Sequence, residues 1–218
     1  MRRWRAMRAG SLLSLVIGAI LGAGHHLALA QHAPAQHAAP AQPARMARTQ
    51  VATEAPNFVL TDQDGRRFAF RDLRGKAVLV SFVYTSCPDV CPVMFHVVTE
   101  VQKRVQTEDH GDVVSVFVTT DPEIDSPQVL KNFALRRSVD FSATTLLTGK
   151  PDELQAVWSA FGVKVKRQAR GLVDHSPLTV LIDAQGLMRY RYLSGFPDGD
   201  IIATDVRSVL KNSAGKRR

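Results

Sequence analysis

No aspartate or glutamate occurs in this 218-residue chain before Glu54. Arg2, Arg3, Arg5 and Arg8 therefore stand uncompensated ahead of the apolar stretch Leu12 to Ala23, and Ala28-Leu29-Ala30 offers a small-residue cleavage site. That order reads as an export signal, with an Arg-rich organellar transit peptide as the other reading of an acid-free start. No cysteine lies near the cleavage site, which excludes a lipid-modified N-terminus there. A long apolar run is missing as well. His25 and His26 interrupt Leu12 to Ala30, short of the about 20 apolar residues a spanning helix needs. Left uncleaved, residues 1–30 would serve as a single N-terminal anchor.

Large apolar residues are nearly absent from residues 31–51, an Ala/Pro/Gln/His tract that cannot bury a core and is expected to be an extended linker. His32 and His37 are expected to be solvated within it. A basic stripe with interleaved aromatics is missing too, which argues against nucleic acid as a partner. Removing the four arginines of residues 1–30 brings the formal charge from +8 to +4, so much of the positive charge belongs to targeting. A basic tail, 213–218, ends the chain.

What remains, 52–212, is long enough for one domain with a full core. Residues 57–60 and 67–70 flank Thr61-Asp62-Gln63-Asp64-Gly65, the pattern of a β-hairpin. Continuous apolar runs at 77–84, 113–118 and 178–182 read as buried strands, and 145–147 as a short one. Met94, Val97, Val98, Val101 and Val105 recur at helical spacing. Ser126-Pro127 gives the cap-then-proline order of a helix start. Further helices are expected over 150–161 and 199–212, a surface hairpin or long loop over 163–173, and a half-exposed strand over 188–193. Strands alternating with helices, closed by an antiparallel pair, make an α/β three-layer domain.

Cysteine is the scarcest chemistry-bearing residue, and both copies lie in one motif, Thr85-Ser86-Cys87-Pro88-Asp89-Val90-Cys91-Pro92. A strand delivers them to the start of a helix, whose positive N-terminus favours thiolate, the form that attacks disulfides and ligates metals. The pair is a redox couple or half of a soft metal site. A structural disulfide is the bland alternative, but four-residue spacing closes too small a loop to stabilise much. The usual redox motif has two intervening residues and a preceding tryptophan, both lacking here. A peroxidase would need an activating arginine and a threonine three residues before its cysteine, also lacking.

This element order, with cysteines after the first central strand, looks thioredoxin-like, with a central mixed sheet and an N-terminal β-hairpin. More specifically, residues 55–211 resemble the Sco/SenC family of copper chaperones, thioredoxin-fold proteins tied to assembly of the CuA centre of cytochrome c oxidase. The resemblance rests on Phe82 to Pro92, on Thr120-Asp121-Pro122-Glu123-Ile124-Asp125-Ser126-Pro127, and on Asp174-His175-Ser176 ahead of Asp183-Ala184-Gln185-Gly186. It implies that Cys87, Cys91 and His175 are copper ligands. Soft thiolates select copper(I), and an added imidazole lets such a site hold copper(II) as well. His175 is expected in a loop at one end of the sheet, beside an acid, Asp174, that orients or charge-balances it.

The implied partner is the copper-bearing subunit of cytochrome c oxidase or another copper protein, with a membrane contact through residues 1–30 if they are uncleaved. The implied location is the bacterial periplasm, free or anchored to the inner membrane, with the mitochondrial intermembrane space as the second choice. The implied role is a metallochaperone rather than an enzyme. Thiol–disulfide exchange by Cys87 and Cys91, reducing partner cysteines before metal loading, is the alternative. Met94 is expected in the core rather than as a thioether ligand, His96 on the surface or in packing, and His110 in solvent. Asp89 is either a turn residue or a source of negative charge at the cysteines. Asp121, Glu123 and Asp125 either serve near the helix start, with Asp125 or Ser126 as cap, or dock a partner.

Overall fold

The computed structural model describes residues 46–109, 112–168 and 171–215. The expectations for residues 1–30, for His32, His37 and His110, and for residues 216–218 fall outside them. No helix among the described residues is long and apolar enough to cross a membrane.

The sheet is built outward from two strands, β4 (Ala77–Val83) and β5 (Val113–Thr119), in which every residue is buried. Their Val-rich runs suit strands covered on both faces. They pair in parallel from Ala77↔Val113 to Val83↔Thr119. A parallel pair needs a crossover, and α1 (Val90–Asp109) provides it. The short strand β6 (Thr144–Thr148) adds in parallel to β5, and the expected hairpin of β2 (Val59–Asp62) and β3 (Arg67–Ala69) extends that edge. On the other side β9 (Leu178–Ile182) runs antiparallel to β4, and β10 (Leu187–Leu193) antiparallel to β9.

A strand absent from the sequence expectation, β1 (Ala47–Glu54), pairs with β10 and completes the order β1-β10-β9-β4-β5-β6-β2-β3. Residues 47–51 of the expected linker are thus sheet, and the folded domain starts earlier than residue 52. The residues of β1 are almost all exposed, so no apolar pattern betrayed it. Backbone pairing holds it, together with Arg48, whose guanidinium donates to both oxygens of Asp205 at 2.7 and 2.6 Å.

Three layers result. The aromatic and apolar face of α1, with α2 (Pro127–Leu135) and α4 (Gly199–Gly215), packs one side of the sheet around Phe95, Phe117, Phe133 and Ile202. On the other side α3 (Pro151–Phe161) buries Leu154, Val157, Trp158 and Phe161 against Val80, Phe82 and Val180. Ser126 caps α2, accepting from the Val129 N–H at 3.4 Å with Pro127 in the first turn. Helix α4 runs three residues into the stretch expected as a tail.

A second, two-stranded sheet stands apart. β7 (Val165–Arg167) and β8 (Val173–His175) pair antiparallel with each other and share no ladder with the main sheet. The expected hairpin is therefore present, and His175 lies on its second strand rather than in a loop. Because β9 is antiparallel to β4, the chain leaves His175 and enters β9 at the end where β4 delivers the cysteines.

Candidate metal centre

The cysteine loop follows directly from β4. Tyr84 is buried, Thr85 and Cys87 are half-buried, and Pro88 and Asp89 are exposed. Helix α1 begins at Val90, so Cys91 lies in its first turn with no solvent exposure. First-turn N–H groups have no intrahelical acceptor. The Cys91 N–H finds one in the Cys87 sulfur, at 3.5 Å, so this thiol caps the helix whose positive end favours its ionised form. Both thiols are free.

The two sulfurs differ electrostatically. Burial pushes the Cys87 thiol up. Hydrogen bonds from the Cys91 thiol, the Asp89 and Cys91 backbone N–H groups and the Tyr84 hydroxyl outweigh it and hold Cys87 below the ordinary thiol value. For Cys91, deeper burial comes first and the hydrogen bond with Cys87 adds to it, so that thiol is pushed up. The helix start thus activates only the first cysteine, where the sequence suggested that it would act on both. Burial also raises the Tyr84 hydroxyl, to about 12.

His175 reaches the same place from the hairpin. Its Nε2 lies 3.5 Å from the Cys91 sulfur and its Nδ1 lies 3.2 Å from the Ser176 carbonyl oxygen. If the Nδ1 proton is donated to that carbonyl, the Nε2 lone pair faces the thiol. The ring meets Tyr84 edge-to-face, with centroids 5.7 Å apart. Burial lowers its pKa against the opposing effects of the Ser176 carbonyl and Asp174, keeping the imidazole neutral and able to ligate. A cleft of about 440 Å³ opens over these groups, walled by Tyr84, Cys87, Pro88, Asp89, Val90 and residues 172–175.

The donor set, two sulfurs and one neutral imidazole, fits a soft, low-coordinate ion. Among the described residues no three His, Cys, Asp or Glu side chains stand fully converged for metal binding. The contacts run in pairs through Cys91, which meets both the Cys87 thiol and the His175 ring.

The remaining candidates separate clearly. Met94 is fully buried in the core. His96 is exposed on α1 and lines a different recess, with Glu100 and Arg137. Asp89 is exposed at the rim of the cleft, and its backbone N–H serves Cys87. Asp125 does not cap α2. It is fully buried, accepts from the Thr85 N–H at 3.1 Å and from the Thr85 and Thr119 hydroxyls, and burial raises its pKa despite those bonds. Asp121 is buried in an ion pair with Arg167, which also meets Glu123 at 3.2 Å. Sequence reasoning gave no role to Thr85 or Arg167, because nothing in local spacing links them to acids of the turn after β5.

Comparison with known proteins bears on the whole domain. The sequence model of the family described as SCO1/SenC matches residues 46–211. An SCO2-like protein of Rickettsia prowazekii is 33% identical over 162 residues, covering 71% of this chain and 74% of that one. Among solved structures, a SCO1/SenC family lipoprotein from Bacillus anthracis superposes with a TM-score of 0.67 at 30% identity, over 74% of this chain and 97% of that one. Bradyrhizobium japonicum ScoI, solved with copper bound, gives a TM-score of 0.62 at 30% identity, over 72% and 100% of the two chains.

Proposed function

The chain belongs to the SCO1/SenC family, and from that premise we propose that it is a copper metallochaperone. Cys87, Cys91 and His175 take up copper and pass it to the CuA site of cytochrome c oxidase during assembly. The observation that carries this reading is the approach of His175 Nε2 to the Cys91 sulfur, 3.5 Å, beside an open cleft that His175 and Cys87 line. Two thiolates alone suit copper(I); the neutral imidazole extends the set to copper(II). Copper is cargo here, so the site has to release it. Cys87, half-exposed on its loop, is the ligand an incoming acceptor thiol can displace first, and buried Cys91 is the last to let go.

Export by residues 1–30 belongs to the same proposal. It places the domain in the periplasm, tethered to the inner membrane if the segment is retained. Mass spectrometry of the protein from soluble and membrane fractions distinguishes the two forms. The thiol–disulfide alternative leaves the position of His175 at Cys91 without a role, and we do not adopt it.

Anaerobic titration of the reduced protein tests the ligand set. The expected result is one tightly bound copper per chain, lost in Cys87→Ser, Cys91→Ser and His175→Ala. Stoichiometric copper(I) and copper(II) retained by His175→Ala would remove His175 from the set. Transfer from loaded protein to the isolated copper-bearing domain of the oxidase subunit tests the recipient; no transfer sinks that part of the proposal.

A further inference from the structure

Between β5 and α2 the chain turns through Asp121-Pro122-Glu123-Ile124-Asp125, closed by the Ile124 and Asp125 N–H groups donating to the Asp121 carbonyl at 3.2 and 2.9 Å. One side of this turn holds the cysteine loop. Asp125 receives the Thr85 N–H and hydroxyl, two residues before Cys87, and is itself fixed to the end of β5 by the Thr119 hydroxyl. The other side holds the histidine hairpin. Asp121 and Glu123 share Arg167 on β7, which pairs in register with Val173 on the strand that carries His175.

The hairpin needs such a hold because it has no ladder to the main sheet. Its other attachments are the buried Val173 side chain, partly buried Val165, a hydrogen bond between the Tyr84 hydroxyl and the Val173 backbone, and the contacts of His175 with Tyr84 and Cys91, none of which joins opposite charges. The Arg167 pair does. The Asp121 side chain is wholly buried, and its Oδ2 has no hydrogen-bond partner among the described residues. Arg167 therefore supplies its charge compensation, and swinging the hairpin outward would strand a buried carboxylate. The guanidinium fork spans two carboxylates, which fixes orientation as well as distance.

We propose that the turn 121–125 is the common anchor of both halves of the metal site, with Arg167 as the positioning residue that sets His175 against Cys91 and Asp125 as the one that sets the cysteine loop. The proposal rests on the reading of Cys87, Cys91 and His175 as the ligand set, and the test separates the two.

The test uses Arg167→Ala, Arg167→Lys and Asp125→Asn in the reduced, metal-free protein, followed by NMR. In Arg167→Ala the His175 ring signals should lose the shift imposed by Tyr84, while the Val180 and Leu181 amides of β9 keep theirs. Arg167→Lys should recover part of the His175 shift, since it keeps the charge but not the fork. Asp125→Asn should displace the Thr85 amide and change the Cys87 alkylation rate. With copper added, Arg167→Ala should lose roughly tenfold in copper(II) affinity, as expected for loss of an orienting contact behind a ligand. Its spectrum should move toward that of His175→Ala, with dithiolate copper(I) binding kept.

Wild-type His175 signals and an unchanged copper(II) spectrum in folded Arg167→Ala would overturn the role of Arg167. An unmoved Thr85 amide in folded Asp125→Asn would overturn that of Asp125. If Arg167→Ala fails to fold, Glu123→Gln and Arg167→Lys take its place, and no His175 shift in either overturns the proposal. A wild-type protein that binds no copper defeats the functional reading, while the metal-free NMR still judges the anchor.

Discussion

His175 Nε2 and the Cys91 sulfur stand 3.5 Å apart although 84 residues separate them in the chain. The imidazole faces the less ionisable of the two thiols. Cys87, capping α1, is held below the ordinary thiol value, while Cys91, deeper in the core, is pushed above it.

With the proposed ligand set, that asymmetry sets a pH dependence for copper uptake. Ligation needs thiolates and a neutral imidazole. Burial lowers the His175 pKa, so near neutrality it has no proton to release. Cys91 keeps its proton past the ordinary thiol value of about 8.5 and must give it up to the metal. Apparent affinity should therefore rise with pH, by about tenfold per unit where Cys87 is already ionised and more steeply below that point. Competition titrations against a copper(I) chelator at several pH values measure the slope; a flat profile contradicts the assignment.

Alkylation should be sequential. Cys87 is half-exposed with a lowered pKa and Cys91 is buried with a raised one, so iodoacetamide should label Cys87 first, with a midpoint below that of an ordinary thiol. Peptide mapping at short reaction times reads the order. Equal labelling of both thiols in the folded protein would contradict the burial and capping described for them.

Strand β1 should contribute measurably to stability. Arg48→Ala leaves the buried Asp205 carboxylate with the Tyr192 hydroxyl, 2.8 Å away, as its remaining hydrogen-bond donor; an under-satisfied buried group costs about 1–3 kcal/mol. A protein beginning at residue 52 loses the same pair along with most of the β1 ladder and should be destabilised at least as much. Denaturant unfolding of the two, against a protein beginning at residue 46, checks this; equal midpoints would restore residue 52 as the boundary.

His96 provides the negative control. It is exposed on α1 beside Glu100 and Arg137, away from the cleft. His96→Ala should keep wild-type copper stoichiometry and affinity, and change stability by less than about 0.5 kcal/mol as an ordinary surface substitution. A loss of copper would show that the ligand set extends along α1.

Much of this protein is written in its sequence because the signals are local. The apolar runs of β4, β5 and β9 announce fully covered strands, Ser126-Pro127 announces the start of α2, and the cysteine motif announces a strand-to-helix junction with two sulfurs. Other features depend on groups brought together from distant positions, which local patterns do not encode. The exposed residues of β1 gave no periodicity, since backbone pairing and the ion pairs of Arg48 and Glu54 hold it. Asp125 stands beside a capping serine and reads as a cap, yet it is turned inward to Thr85. The sequence by itself determined which donors the site can use, because side-chain chemistry travels with the residue. Only the tertiary structure decided which thiol is activated and what holds the imidazole over the other, because burial, charge compensation and the meeting of β5's turn with a separate hairpin exist only once the chain has folded.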